Sequence, residues 1–83
     1  MKIEKIYEEK YILGYLQDRN LTKQYKKSKK NILSWMHTGN RLKYREPKQE
    51  RIIYFRINRQ FRALCRLVEN KKLVVFDIDK HQK

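Results

Sequence analysis

The sequence predicts an α+β fold, in which two helices precede a small antiparallel β-meander sheet. The first half of the chain has apolar residues at three- and four-residue spacing, as in amphipathic helices. The second half has short apolar runs separated by polar turns, as in hairpin-connected strands. With 83 residues, we expect one domain spanning residues 1–83.

Two helices are predicted before residue 40. The first covers residues 8–17, and the second covers residues 21–37 with Asn20 as its N-cap and Gly39 after its end. Their apolar faces are Tyr11, Ile12, Tyr15 and Leu16 in the first, and Leu21, Tyr25, Ile32, Trp35 and Met36 in the second. A tight break joins them, so we expect a helical hairpin.

Three strands are predicted in the second half, at residues 51–57, 61–69 and 73–78. Short polar turns at 58–60 and 70–72 separate them, which predicts an antiparallel meander. The third run is almost continuously apolar, as in a central strand. Residues 39–50 are predicted to be a polar connector, and residues 1–7 show no clear period.

The charge is high and unevenly placed. The chain carries a net charge of +13, and residues 1–20 contain as many acidic as basic residues. The excess therefore belongs to the later segments, where self-repulsion favours a polyanionic partner. Nucleic acid is the leading candidate, and an anionic membrane surface or an acidic protein remains open. No leader peptide and no apolar run of membrane-spanning length is recognisable, so a cytoplasmic protein is expected.

Several kinds of site are disfavoured. The two glycines are isolated, which argues against a phosphate-binding loop, and two histidines and one cysteine are too dispersed for zinc. Asp77 and Asp79 alone make a poor two-metal site amid so much positive charge. We therefore expect no cofactor and no metal. Cys65 lies in an apolar strand pattern and is interpreted as a buried thiol.

The remaining chemistry is metal-free phosphate chemistry, because RNA carries its own nucleophile, the 2′-hydroxyl. His81 is the best acid–base candidate, although a position so near the end of the chain is often only a solvated tail. Asp79 is two residues earlier and would orient His81, contact a base or simply cap a turn.

The basic residues divide into groups. Arg62 and Arg66 alternate onto one face of a strand and Arg56 lies on the adjacent strand, which favours phosphate binding over simple snorkelling. Tyr44 and Tyr54 are candidates for stacking on bases. The other candidate phosphate contacts are Lys43, Arg45 and Lys48 in the connector, and Lys23, Lys27 and Lys30 on the second helix. Each of these is also compatible with an ordinary solvated charge.

The stretch from Phe55 to Arg62, followed by Ile78-Asp79-Lys80-His81, resembles the RelE/ParE superfamily of bacterial toxins, and most of all its HigB and RelE-like members. The resemblance implies a strand at the N-terminus and an mRNA interferase: a toxin that enters the ribosomal A site, cuts the bound mRNA without metal and so inhibits translation. It also implies an inhibiting antitoxin. Asp79 and His81 match the family's terminal catalytic pair, Arg62 its strand arginine and Lys43 a connector lysine.

Two departures from the family pattern stand out. Lys80 occupies the position of a frequent tyrosine, where it would contact phosphate instead of stacking on a base, and the connector lacks a histidine that relatives often have. Two alternatives therefore stay open: a ParE-like toxin that poisons gyrase, and a non-catalytic nucleic-acid-binding module.

Overall fold

A computed structural model describes residues 3–34, 42–45, 47–69 and 71–80. The helices are α1 (Lys10–Asp18) and α2 (Thr22–Leu33), and a 3-10 turn covers Lys48–Glu50. The strands are β1 (Lys5–Glu8), β2 (Lys43–Tyr44), β3 (Ile52–Arg56), β4 (Phe61–Val68) and β5 (Lys72–Lys80). The α+β class predicted from the sequence is confirmed.

The five strands form one mixed sheet in the order β1-β5-β4-β3-β2. The meander β3-β4-β5 is antiparallel, as predicted. The N-terminal strand that only the family resemblance implied is present, and it lies parallel to β5 at one edge. At the other edge, β2 pairs antiparallel with β3, so the predicted polar connector contains a short strand that the sequence did not indicate.

The core lies between the two helices and one face of the sheet. Ile12 and Leu16 of α1 and Tyr25 and Ile32 of α2 are buried in the same cluster as the inward residues of the strands. The Tyr25 ring stacks on Phe55 of β3, with the ring centroids 6.1 Å apart. The alternation predicted for β3 holds on this side, because Ile53, Phe55 and Ile57 all join the cluster.

The break between the helices differs from its prediction. Asn20 does not cap α2: its φ is 57°, and Leu21 is the residue that precedes the helix. The N–H of Leu21 donates to the Leu16 carbonyl at 2.8 Å and that of Asn20 to Gln17 at 3.2 Å, which is a Schellman motif closing α1. Asparagine tolerates the left-handed backbone that this motif needs.

The helix boundaries also shift. α1 begins at Lys10, because β1 extends to Glu8. α2 ends at Leu33, since Ser34 is extended with ψ of 124°, so the helix predicted to reach residue 37 was too long. Residues 35–37 and Gly39 lie outside the described residues. Within the described part of the chain, no helix is long and apolar enough to cross a membrane.

Candidate nucleic-acid interface

The sheet face opposite the helices carries the predicted arginines. Arg56, Arg62 and Arg66 all alternate with buried core residues along β3 and β4. Register places Arg62 between two neighbours: Arg56 on β3 and Asp79 on β5. We call this surface the arginine face, defined by Arg56, Arg62, Arg66 and Asp79.

Arg62 and Asp79 form an ion pair in the middle of the arginine face. The distance from Arg62 Nη2 to Asp79 Oδ2 is 2.7 Å, and the two side chains are 22% and 37% exposed. The Arg62 guanidinium also lies over the Tyr54 ring, 4.7 Å from its centroid. A carboxylate and an aromatic ring thus hold this cation in one orientation, and part of it remains accessible.

Part of the Arg62 hydrogen-bonding capacity is unused. Its Nε is buried and finds no acceptor among the described residues. Arg56 is exposed and sits directly opposite Arg62 on the neighbouring strand. Like charges directly opposite each other destabilise a sheet, and a bound anion between them would remove that penalty. The facing side chains of Arg56 and Arg62 therefore favour the binding of a phosphate between them.

Arg66 lies four residues further along β4, about 13 Å from Arg62 at the usual strand rise. Its guanidinium covers the Phe76 ring at 4.4 Å, and its side chain is exposed. Beside it is a wide cleft of about 610 Å³. The cleft is lined by Tyr44, Glu50, Arg51, Ile53, Arg66 and Leu67. Tyr44 is 52% exposed, as a stacking residue should be.

The connector cations take different positions. Lys43 is exposed on β2 and pairs with Tyr54, so it stands on the same side of the sheet as the arginine face. Arg45 follows β2, is exposed, and its backbone N–H donates to the Ile52 carbonyl at 2.7 Å. Lys48 begins the 3-10 turn.

Other residues that were predicted to contact phosphate do not lie on the arginine face. Lys80 pairs with Phe61, whose side of β4 packs on the core, so Lys80 points away from Asp79. Lys23, Lys27 and Lys30 belong to α2, on the helix-covered side of the sheet. His81 lies outside the described residues.

The exposed lysines of α2 share one side of the helix. Lys23, Lys26, Lys27 and Lys30 are three or four residues apart and all exposed, so they form one stripe along α2. Lys29 lies at the flank of this stripe and is bound to Glu8, with Nζ and Oε2 2.7 Å apart. The stripe belongs to the helix and not to the arginine face.

Cys65 is fully buried, as predicted. Burial, assisted by the negative charge of Glu8, raises the pKa of its thiol to about 12. A thiol with such a pKa is a poor nucleophile at neutral pH. Among the described residues, no three acidic, histidine or cysteine side chains gather in a way that could hold a metal ion.

Sequence reasoning missed two features of the interface. One is the contact of Tyr54 with Arg62, since Tyr54 was predicted only as a base-stacking residue. The other is Asn31 of α2, which lies beside Lys43 and Arg56 in a small cleft. Nothing local in the sequence marks Asn31, because its neighbours come from strands more than ten residues away.

Comparison with known proteins adds no relative. No protein-family model matches the chain, and no curated protein is significantly similar to it.

Proposed function

We propose that this chain is a toxin of a type II toxin–antitoxin module, similar to the RelE and HigB mRNA interferases. In this proposal it is a ribosome-associated endoribonuclease that cuts mRNA without a metal ion and inhibits translation in the cytoplasm. The observation that carries the proposal is the Arg62–Asp79 pair, held beside Arg56 on an exposed cationic face. The motif Asp79-Lys80-His81 supports it from the sequence.

The chemistry is internal phosphoryl transfer. The 2′-oxygen of one nucleotide bonds to the adjacent phosphorus while the bond from phosphorus to the 5′-oxygen breaks. The 2′-hydroxyl loses a proton and the departing 5′-oxygen gains one, and we assign these two transfers to Asp79 and His81. Arg62 and Lys43 stabilise the extra negative charge on the pentavalent phosphate.

The remaining cations serve binding in this proposal. Arg56 and Arg66 contact phosphates near the reacting one, because Arg56 lies across from Arg62 and Arg66 lies further along the same sheet face. Arg45, Lys48 and Lys80 add positive potential around it, and Lys23, Lys27 and Lys30 contribute at longer range. Such contacts position RNA without reading its sequence.

A cognate antitoxin would have to neutralise this surface. We expect an acidic or amphipathic segment that orders on binding across the arginine face. Co-expression of the neighbouring reading frame should give a stable complex and restore growth. A neighbouring product that neither binds nor rescues would count against the toxin–antitoxin assignment.

A non-catalytic nucleic-acid-binding module is the second candidate, and the net charge of +13 favours it. Such a protein would show steeply salt-dependent binding without cleavage. The two candidates therefore differ in whether mRNA is cut.

Primer extension on a reporter mRNA after brief induction tests the proposal. Wild type is compared with a double variant, Asp79→Ala/His81→Ala. Cuts inside translated codons that disappear in the variant are the expected result. Growth arrest without cuts, with induction of the SOS response, would indicate gyrase poisoning instead, and neither arrest nor cuts would leave the binding module.

A further inference from the structure

A small cleft of about 230 Å³ lies between α2 and the strands β2 and β3. From α2 it is lined by Ser28 and Asn31, and from the strands by Lys43, Tyr54 and Arg56. Its volume is below the about 300–1,000 Å³ of pockets for drug-sized ligands, so it suits one planar group and not a larger molecule.

Two cations line the cleft. Within the described residues, neither Lys43 nor Arg56 has a carboxylate within ion-pair distance. Two cations that border one small space repel each other, and an anionic ligand reverses that cost. Phosphate is the anion that such a lysine and arginine pair binds well.

The cleft also has the means to recognise a base. In the described part of the chain, the Asn31 amide has no hydrogen-bond partner, whereas the Ser28 hydroxyl already donates to the Ile57 carbonyl at 3.4 Å. A primary amide offers a donor and an acceptor side by side, the pattern that pairs with base edges. Tyr54 also lines the cleft, so an aromatic residue borders the space that a planar base would occupy.

The cleft adjoins the Arg62–Asp79 pair through one side chain. Tyr54 lines the cleft and also carries the Arg62 guanidinium over its ring. A nucleotide in the cleft would therefore neighbour a phosphate at Arg62 along the same strand of nucleic acid.

We propose that this cleft binds a single nucleotide of RNA next to the reacting phosphate, and that Asn31 reads its base. Arg56 holds the phosphate of that nucleotide, Lys43 bridges this phosphate and the reacting one, and Tyr54 borders the base. This inference rests on the proposed function, since it takes the ligand to be single-stranded RNA.

The test measures binding separately from cutting. The probes are four fluorescent 2′-O-methyl RNA heptamers that differ only in the central base, because a methylated 2′-oxygen cannot act as the nucleophile. Their affinities for wild type, Asn31→Ala, Lys43→Ala and Gln17→Ala are measured by anisotropy over a range of salt. Gln17→Ala is the matched control, since it removes an exposed side-chain amide from the other helix.

Wild type and Gln17→Ala should prefer one base by about tenfold, the usual worth of a good bidentate contact. Asn31→Ala should bind all four heptamers equally, and it should fold normally because alanine favours a helix interior. Lys43→Ala should weaken all four alike and lower the salt slope by about 0.7.

Equal binding of the four heptamers by wild type, or an unchanged preference in Asn31→Ala, would overturn the inference. Tighter binding of a poly-glutamate heptamer than of any RNA would reassign the cleft to an acidic peptide. If the base preference depends on Asn31 but the protein cuts no mRNA in cells, the nucleotide cleft stands and the proposed endoribonuclease fails.

Discussion

Arg62 and Asp79 are neighbours across β4 and β5, and their side chains meet with Nη2 and Oδ2 2.7 Å apart. They are seventeen positions apart in sequence and are joined by a full hairpin, so the pair depends on the register of that hairpin. Register also places Tyr54 beneath the same guanidinium. Arg62 is therefore held by groups from the two strands that flank its own.

Asp79→Asn should abolish most RNA cutting while leaving the fold intact. We expect cleavage to fall about 10²–10⁴-fold if Asp79 transfers a proton, as is usual for acid–base residues. The ion pair is partly exposed, so its loss should lower the free energy of unfolding by about 1 kcal/mol or less. Primer extension and urea denaturation measure the two effects. Glu69→Gln breaks a similar ion pair with Lys72, at 2.9 Å, and should leave cutting unchanged.

Tyr54→Leu should weaken binding of single-stranded RNA about two- to fivefold, because an exposed cation–π contact contributes about 0.5–1 kcal/mol. Leucine keeps an apolar body under Arg62 but offers no ring. Fluorescence anisotropy gives the affinity. Tyr15→Leu is the matched control, since it removes the other tyrosine–arginine contact, 3.6 Å from Arg19 to the Tyr15 ring. A similar loss in both variants would mean that the effect comes from general destabilisation.

Tyr25→Phe should destabilise the protein by about 1.5–3 kcal/mol, the usual range for a hydrogen bond to a charged group. The Tyr25 hydroxyl donates to Glu8 Oε2 at 2.6 Å, and its ring is 1% exposed. Phenylalanine retains the packing on Phe55 and loses only this bond, which ties α2 to β1. Urea denaturation measures the change, with Tyr7→Phe as an exposed control. Equal stability of wild type and Tyr25→Phe would show that the bond contributes nothing.

Ionisation of Cys65 should lower the free energy of unfolding at alkaline pH. Its thiol pKa is raised from 9.0 to about 12 by burial, and then by the charge of Glu8. The unfolded thiol ionises above pH 9 and the folded one does not. The contribution of the neutral, buried thiol to the free energy of unfolding is therefore fully present below pH 9 and is lost as the pH rises towards 12. The loss should be about 1.4 kcal/mol per pH unit.

Comparison with Cys65→Ala isolates this effect. All other ionisable groups are the same in the two proteins, so their contribution largely cancels in the difference. The stability advantage of wild type over the variant should therefore shrink between pH 9 and 10.5. A constant difference would contradict the raised pKa, as would rapid alkylation of native Cys65 by iodoacetamide at pH 8.

Several features were predictable because they are local. The alternation in β3 and β4 placed Arg56, Arg62 and Arg66 on one side, since strand side chains alternate with period two. The turn at 58–60 was marked by Asn58, whose side-chain oxygen accepts the N–H groups of Gln60 and Phe61. Asp79 was a candidate because it comes directly after the third apolar run, two residues before His81.

Other predictions failed where a competing local motif or a contact between distant segments decided the structure. Asn20 was predicted to cap α2. Instead, the N–H groups of Asn20 and Leu21 bond back to carbonyls of α1, so Asn20 completes the Schellman motif of that helix. β2 is only two residues long, and no hydrophobic pattern in the sequence marks it. It exists because its backbone pairs with β3. β1 has only four residues, and its parallel pairing with β5 joins segments more than sixty residues apart.

The sequence by itself determined the α+β order of elements, the meander and the cationic side of the sheet, and it marked Asp79 and Arg62 as separate candidate residues. Only the tertiary structure decided that these two side chains touch, that Tyr54 supports one of them, and that Asn31 joins Lys43 and Arg56 in a cleft. Periodicity is a property of neighbours along the chain and can be read from it. Side-chain contacts between distant elements depend on the register and packing of the whole molecule, which no local pattern encodes.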